Sequence, residues 1–140
     1  MKKLLTIMCV FLVCTFVQAQ VKDPATLEEE LNVYGGVIFD DMTEKTGGYL
    51  TGSPELDRGN WHISATLAVA SYYSFDLVRM DVRNFVNSYS DVSTIITWRA
   101  AEDERVEAYN YAARFMDDYL IIFIYSEDHK RLAMRLQYSP

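Results

Sequence analysis

A chain of 140 residues, half of them hydrophobic, can close one packed core without metal or disulfide staples. Its 20 acidic residues against 13 basic ones give a formal charge of −7, which repels phosphate and makes nucleic acid and anionic membrane poor partners. Both cysteines, Cys9 and Cys14, sit near the N-terminus, so disulfides and thiolate chemistry are excluded from the rest of the chain.

Residues 1–19 read as a secretory signal peptide. Lys2 and Lys3 form the charged start, residues 4–17 the apolar run, and Val17-Gln18-Ala19 the small-residue cleavage site. That run is shorter than the roughly 20 residues needed to span hydrocarbon. The expected mature protein, residues 20–140, is then one α+β domain with no integral membrane span and no cysteine. Neither Cys9 nor Cys14 follows the small residue a lipid-modified cysteine requires, since Met8 and Val13 precede them. A disulfide-free exported domain suits a bacterial periplasm or a secreted protein.

Residues 23–31 carry helix-start chemistry: Asp23 as N-cap, Pro24 at the first helical position, and a Thr26/Glu29 capping box. Residues 33–39 (Val-Tyr-Gly-Gly-Val-Ile-Phe) combine strand formers with two glycines, which suggests a bent or bulged strand. Turn residues dominate 40–60, with Gly47-Gly48, Gly52-Ser53-Pro54 and Arg58-Gly59-Asn60, so a long loop or loose hairpin is expected. Residues 61–69 alternate, placing Ile63, Ala65, Leu67 and Val69 on one side of a half-buried strand.

Phe75, Val78, Val82, Phe85 and Tyr89 recur at three- and four-residue steps, which predicts an amphipathic helix capped by Ser74. The β-branched residues of 92–98 predict a strand. Residues 105–115 fit either period, and the strand reading is preferred because acidic turns bracket the segment at hairpin distance. Residues 119–125 (Tyr-Leu-Ile-Ile-Phe-Ile-Tyr) are unbroken apolar, the pattern of a central strand buried on both faces. In that reading Ile122→Asp abolishes folding. A last strand alternates, with Leu132, Met134, Leu136 and Tyr138 inward and Arg131, Ala133, Arg135 and Gln137 toward water. The expected fold is α+β: an antiparallel sheet, a meander in its C-terminal half, with one main amphipathic helix packed on one face.

The chain contains no Gly-x-Ser-x-Gly elbow, phosphate-binding glycine loop, His-Glu-x-x-His or dinucleotide fingerprint, so no cofactor is expected. The carboxylate runs Asp40-Asp41, Glu102-Asp103-Glu104 and Glu127-Asp128 lack the spacing and glycine of a calcium loop, and no metal site is expected. Ten tyrosines and two tryptophans are the unusual feature. Tyr49, Trp61, Trp98, Tyr109 and Tyr111, with His62 beside Trp61, are the candidate ligand- or partner-binding residues, because such rings give large contact area with a polar tip. No catalytic residue stands out. The favoured function is a non-enzymatic domain that binds a protein or small ligand through one sheet face and the 40–60 loop. The alternative is a small hydrolase with a carboxylate or His62 as general base, which requires a pocket joining His62 to two acids.

Overall fold

In the computed structural model, which describes residues 22–100 and 108–140, helix α1 spans Pro24–Thr46 without interruption. The Asp23 side chain accepts the Thr26 N–H at 2.8 Å, Pro24 follows, and Gly47 ends the helix at φ 69° with its N–H on the Thr43 carbonyl. The strand expected over residues 33–39 is therefore helix. Its reason is one buried stripe: Leu27, Leu31, Gly35, Ile38, Phe39, Met42 and Thr46 recur at helical spacing on the covered side. Gly35 lies within that stripe, where a Cβ would come 2.6 Å from Ile63 Cγ2. The glycine lets the helix approach the sheet rather than bending a strand.

The region expected as a loop over 40–60 is also more regular. Its first residues complete α1, and the remainder supplies two short strands, β1 (Tyr49–Leu50) and β2 (Glu55–Asp57), both paired with β3 (His62–Ala68). Helix α2 (Phe75–Ser88) begins at Ser74, as expected, and buries Val78, Val82 and Phe85. Each contributes about 1.5–3 kcal/mol of apolar burial before entropy. The meander follows as β4 (Val92–Ala100), β5 (Ala108–Phe115), β6 (Tyr119–Ser126) and β7 (Arg131–Tyr138). The ambiguous segment is thus strand from Ala108 onward. The signal-peptide reading, the acidic turn 102–104 and the start of the 105–115 segment lie outside the described residues.

All seven strands join one antiparallel sheet in the order β1-β3-β7-β6-β5-β4, with β2 also on β3. After β3 the chain crosses to the far edge through α2, and the meander returns strand by strand until β7 pairs with β3. Helix α1 packs on β3, β7 and α2, and α2 on α1 and β4. Both helices therefore cover the same face. On β6 the consequence is a clean alternation: Tyr119, Ile121, Phe123 and Tyr125 are fully buried, Leu120 and Ile122 are half-buried, and Ile124 is 41 % exposed. The expectation of burial on both faces fails because nothing among the described residues covers the second face. Among those residues no helix is long and apolar enough to cross a membrane.

Candidate functional site

Antiparallel partners project to the same side, so the strand registers order the uncovered side chains into rows. Ile96, Ala112, Ile122, Arg135, Ser64 and Glu55 form one row across β4, β5, β6, β7, β3 and β2. The next row is Arg99, Asn110, Ile124, Ala133 and Thr66. On the other side lie Ser93, Arg114, Leu120, Gln137, His62 and Asp57. Ser126, Arg131, Ala68 and Tyr49 continue past the second row. The middle of this face is apolar, with Ile96 and Ile124 each 41 % exposed. Arg99, Arg114, Arg131 and Arg135 stand around it.

No carboxylate occupies an uncovered position of β4, β5, β6 or β7, although the chain carries 20 acids. The guanidiniums are permanently charged. Arg114 donates from Nη1 to the Ser139 carbonyl at 2.9 Å and Arg131 to the His129 carbonyl at 3.1 Å, while Arg135 and Arg99 form no ion pair among the described residues. On this face acids occur at the β2 edge, at Glu55 and Asp57, and the opposite side of the molecule carries negative charge as well. There the outward stripe of α1 exposes Glu29, Asp40 and Glu44 around Val33 and Val37.

The six residues singled out from the sequence fall into two groups at opposite edges of the sheet. Tyr49 (66 % exposed), Trp61 and His62 belong to the β1–β3 edge, while Trp98, Tyr109 and Tyr111 belong to β4 and β5, with β7 and β6 between. Trp61 has left-handed backbone, φ 49°, and its carbonyl accepts the Tyr138 N–H. Tyr109 stacks on Phe75 at 3.8 Å, and Trp98 lies 5.3 Å from both Phe75, edge to face, and Tyr111, tilted. Tyr111 is buried and shares a hydrogen bond with Thr94. Tyr109 and Tyr111 thus extend the aromatic core, and Trp98 forms its half-buried rim.

His62 Nε2 lies 3.4 Å from Asp57 Oδ2, and its Nδ1 is buried with no hydrogen-bond partner among the described residues. Asp57 is already engaged by the Gly59 and Asn60 backbone N–H groups and the Asn60 amide, a turn that holds its pKa below the ordinary value. The arrangement is one histidine on one turn-forming carboxylate. Among the described residues no second acid is brought to it. Among the described residues no three His, Cys, Asp or Glu side chains gather as metal ligands.

A separate polar cluster joins the start of α1 to the sheet. Tyr119 donates its hydroxyl to Glu30, Lys22 pairs with Glu30 and with Asp118 at 3.1 Å, and the Lys22 ammonium lies 5.0 Å from the Tyr119 ring centre. Burial disfavours the Glu30 carboxylate, but Lys22 and Tyr119 outweigh it and hold the pKa below its ordinary value. Burial and the same carboxylate push the Tyr119 hydroxyl far up. Burial likewise pushes Tyr125 up to about 12; its hydroxyl donates to the Tyr73 carbonyl at 3.1 Å.

Sequence reasoning missed the isoleucines of the open face because an unbroken apolar run reads as double burial. The signal that identifies them is the arginine at alternate positions on the neighbouring strands: Arg131 and Arg135 on β7, Arg114 on β5. The chain matches no protein-family model, and no characterised protein is significantly similar to it.

Proposed function

We propose that residues 20–140 form an exported, non-enzymatic binding domain whose uncovered sheet face docks an acidic protein surface bearing apolar side chains. The observation that carries this reading is the acid-free apolar patch of β4 to β7, framed by four arginines in an otherwise acidic protein. Isolated exposed apolar residues are ordinary, but a contiguous patch flanked by arginines on its own strands is the composition of an interface. Four strands at about 4.8 Å spacing and eight residues at about 3.3 Å rise span roughly 19 by 26 Å, about 500 Å². That is below the about 800 Å² of a standard interface side and is the scale of a weak, transient contact.

Charge selects the partner. Arg99 and Arg135 attract carboxylates and repel basic surfaces, which sets encounter rate and specificity more than affinity. The apolar centre at Ile96, Ile122 and Ile124 supplies the burial. Tyr49 on β1 extends the same face at the β3 edge, so the β1–β2 segment lies beside it. The N-terminal pattern of Lys2, Lys3, the apolar run and Val17-Gln18-Ala19 supports export to a periplasm or the exterior.

The test is charge-selective binding by the mature protein. An amphipathic Glu/Leu helical peptide and its Lys/Leu counterpart are titrated by calorimetry, with an Arg99→Glu/Arg135→Glu variant as control. The acidic peptide should bind, the basic one should not, and the double variant should invert or abolish the preference. Equal binding of both peptides would overturn the reading. Sedimentation without peptide shows whether the acidic α1 stripe of a second copy occupies the face instead.

A further inference from the structure

Among the described residues, the covered side of the sheet is incomplete at its β4 edge, where α2 and β4 enclose an open cleft of about 910 Å³. This is within the size range of small-molecule sites, about 300–1,000 Å³. One wall is the outward stripe of α2, on which Arg79, Met80, Arg83 and Val86 follow helical spacing. The other wall is Thr94, Thr97 and Trp98 of β4, and Tyr111 closes the floor. Arg79 and Arg83 are exposed, one helical turn apart, and form no ion pair among the described residues. Among the described residues, one acid, Asp76, lines the cleft with them.

We propose that this cleft binds a small aromatic anion, a carboxylate or a phosphate, with Arg79 and Arg83 on the charged group and Trp98 against the ring. Two guanidiniums on successive turns present forked donors to a planar or tetrahedral oxyanion, for which arginine is better suited than lysine. Opposite them the aromatic wall is held in place. Trp98 rests on Phe75 and Tyr111, and Tyr111 is tied to Thr94, so little ordering is left for a ligand to impose. Met80, 52 % exposed, is the flexible apolar element beside it. A strand-forming peptide is a poorer occupant, because the β4 edge breaks register between Thr94 and Ile96 and again between Ile96 and Arg99. Such irregularities spoil an edge as a pairing template.

The site is independent of the uncovered face, and its test separates the two. Mature protein carrying Trp61→Phe, so that Trp98 alone reports, is titrated with 2-naphthoate, 2-naphthyl phosphate and the uncharged 2-naphthamide while tryptophan fluorescence is followed. At least one anion should quench Trp98 and bind roughly tenfold or more tightly than the amide. Which anion does so distinguishes carboxylate from phosphate. Arg79→Ala/Arg83→Ala should erase that preference at unchanged melting temperature, and Arg135→Glu on the other face should leave it intact. The proposal fails if neither anion binds, if the amide binds as tightly, if the double variant keeps the preference, or if Arg135→Glu weakens binding equally.

Discussion

Ile122 of β6 stands directly across the ladder from Arg135 of β7, and both project from the uncovered face of the sheet. An aspartate at 122 therefore meets water and a guanidinium, and Ile122→Asp should fold. Its cost should be about 1 kcal/mol, the span of strand propensity on a solvated face. One position on, Phe123 is fully buried, and Phe123→Ala should cost about 3–5 kcal/mol. Urea unfolding of both variants checks the assignment of faces; an Ile122→Asp chain that fails to fold contradicts it.

The two adjacent glycines of α1 should respond in opposite directions. A Cβ on Gly35 meets Ile63 Cγ2 at 2.6 Å, whereas one on Gly36 meets nothing within 4 Å. Gly35→Ala should destabilise by about 1–3 kcal/mol through overpacking. Gly36→Ala should stabilise by about 0.5–1 kcal/mol, the ordinary gain of alanine in a helix interior. Combining Gly35→Ala with Ile63→Ala should be non-additive, since the second change removes the clashing methyl.

Glu30 should account for part of the acid sensitivity. Its folded pKa lies below 4.5, so its contribution is present above that value and is lost as pH falls through the folded pKa. Glu30→Gln should cost about 1 kcal/mol at neutral pH, through the weakened bonds to Lys22 and Tyr119. It should also flatten the stability curve below about pH 4.5. Chemical unfolding at a series of pH values measures both effects.

Asp81 on α2 runs the other way. Burial raises its pKa above 3.8, Lys45 only partly offsets this, and Oδ2 has no hydrogen-bond partner among the described residues. Its favourable state is the protonated one, fully present below 3.8 and lost as pH rises through the folded pKa. Asp81→Asn should therefore raise the melting temperature at pH 7 and leave it little changed near pH 3, as calorimetry at the two values would show.

The elements written in clean periodicity were legible in the sequence: α2 from its five apolar positions, β3 and β7 from strict alternation, and the α+β class from the meander. Helix α1 was legible at its start, from Asp23 and Pro24, but not beyond residue 31, because Gly35 and Gly36 carry low helix propensity and their neighbours favour strands; tertiary packing against Ile63 overrides both. The aromatics were found but not their division between two sheet edges, since that depends on β7 pairing with β3, a contact between distant parts of the chain. The open face was hidden for a related reason. Whether a second layer covers β6 is decided by where both helices pack, which no local pattern encodes.

The central claim is that the uncovered sheet face is the docking surface, and amide chemical-shift mapping of the mature protein with the Glu/Leu peptide tests it most directly. The account predicts perturbations centred on Ala112, Ile122, Ile124 and Ala133, weakening with added salt. Perturbations centred instead on the outward residues of α1, or on the cleft between α2 and β4, with Ile122 and Ile124 unmoved, would contradict it.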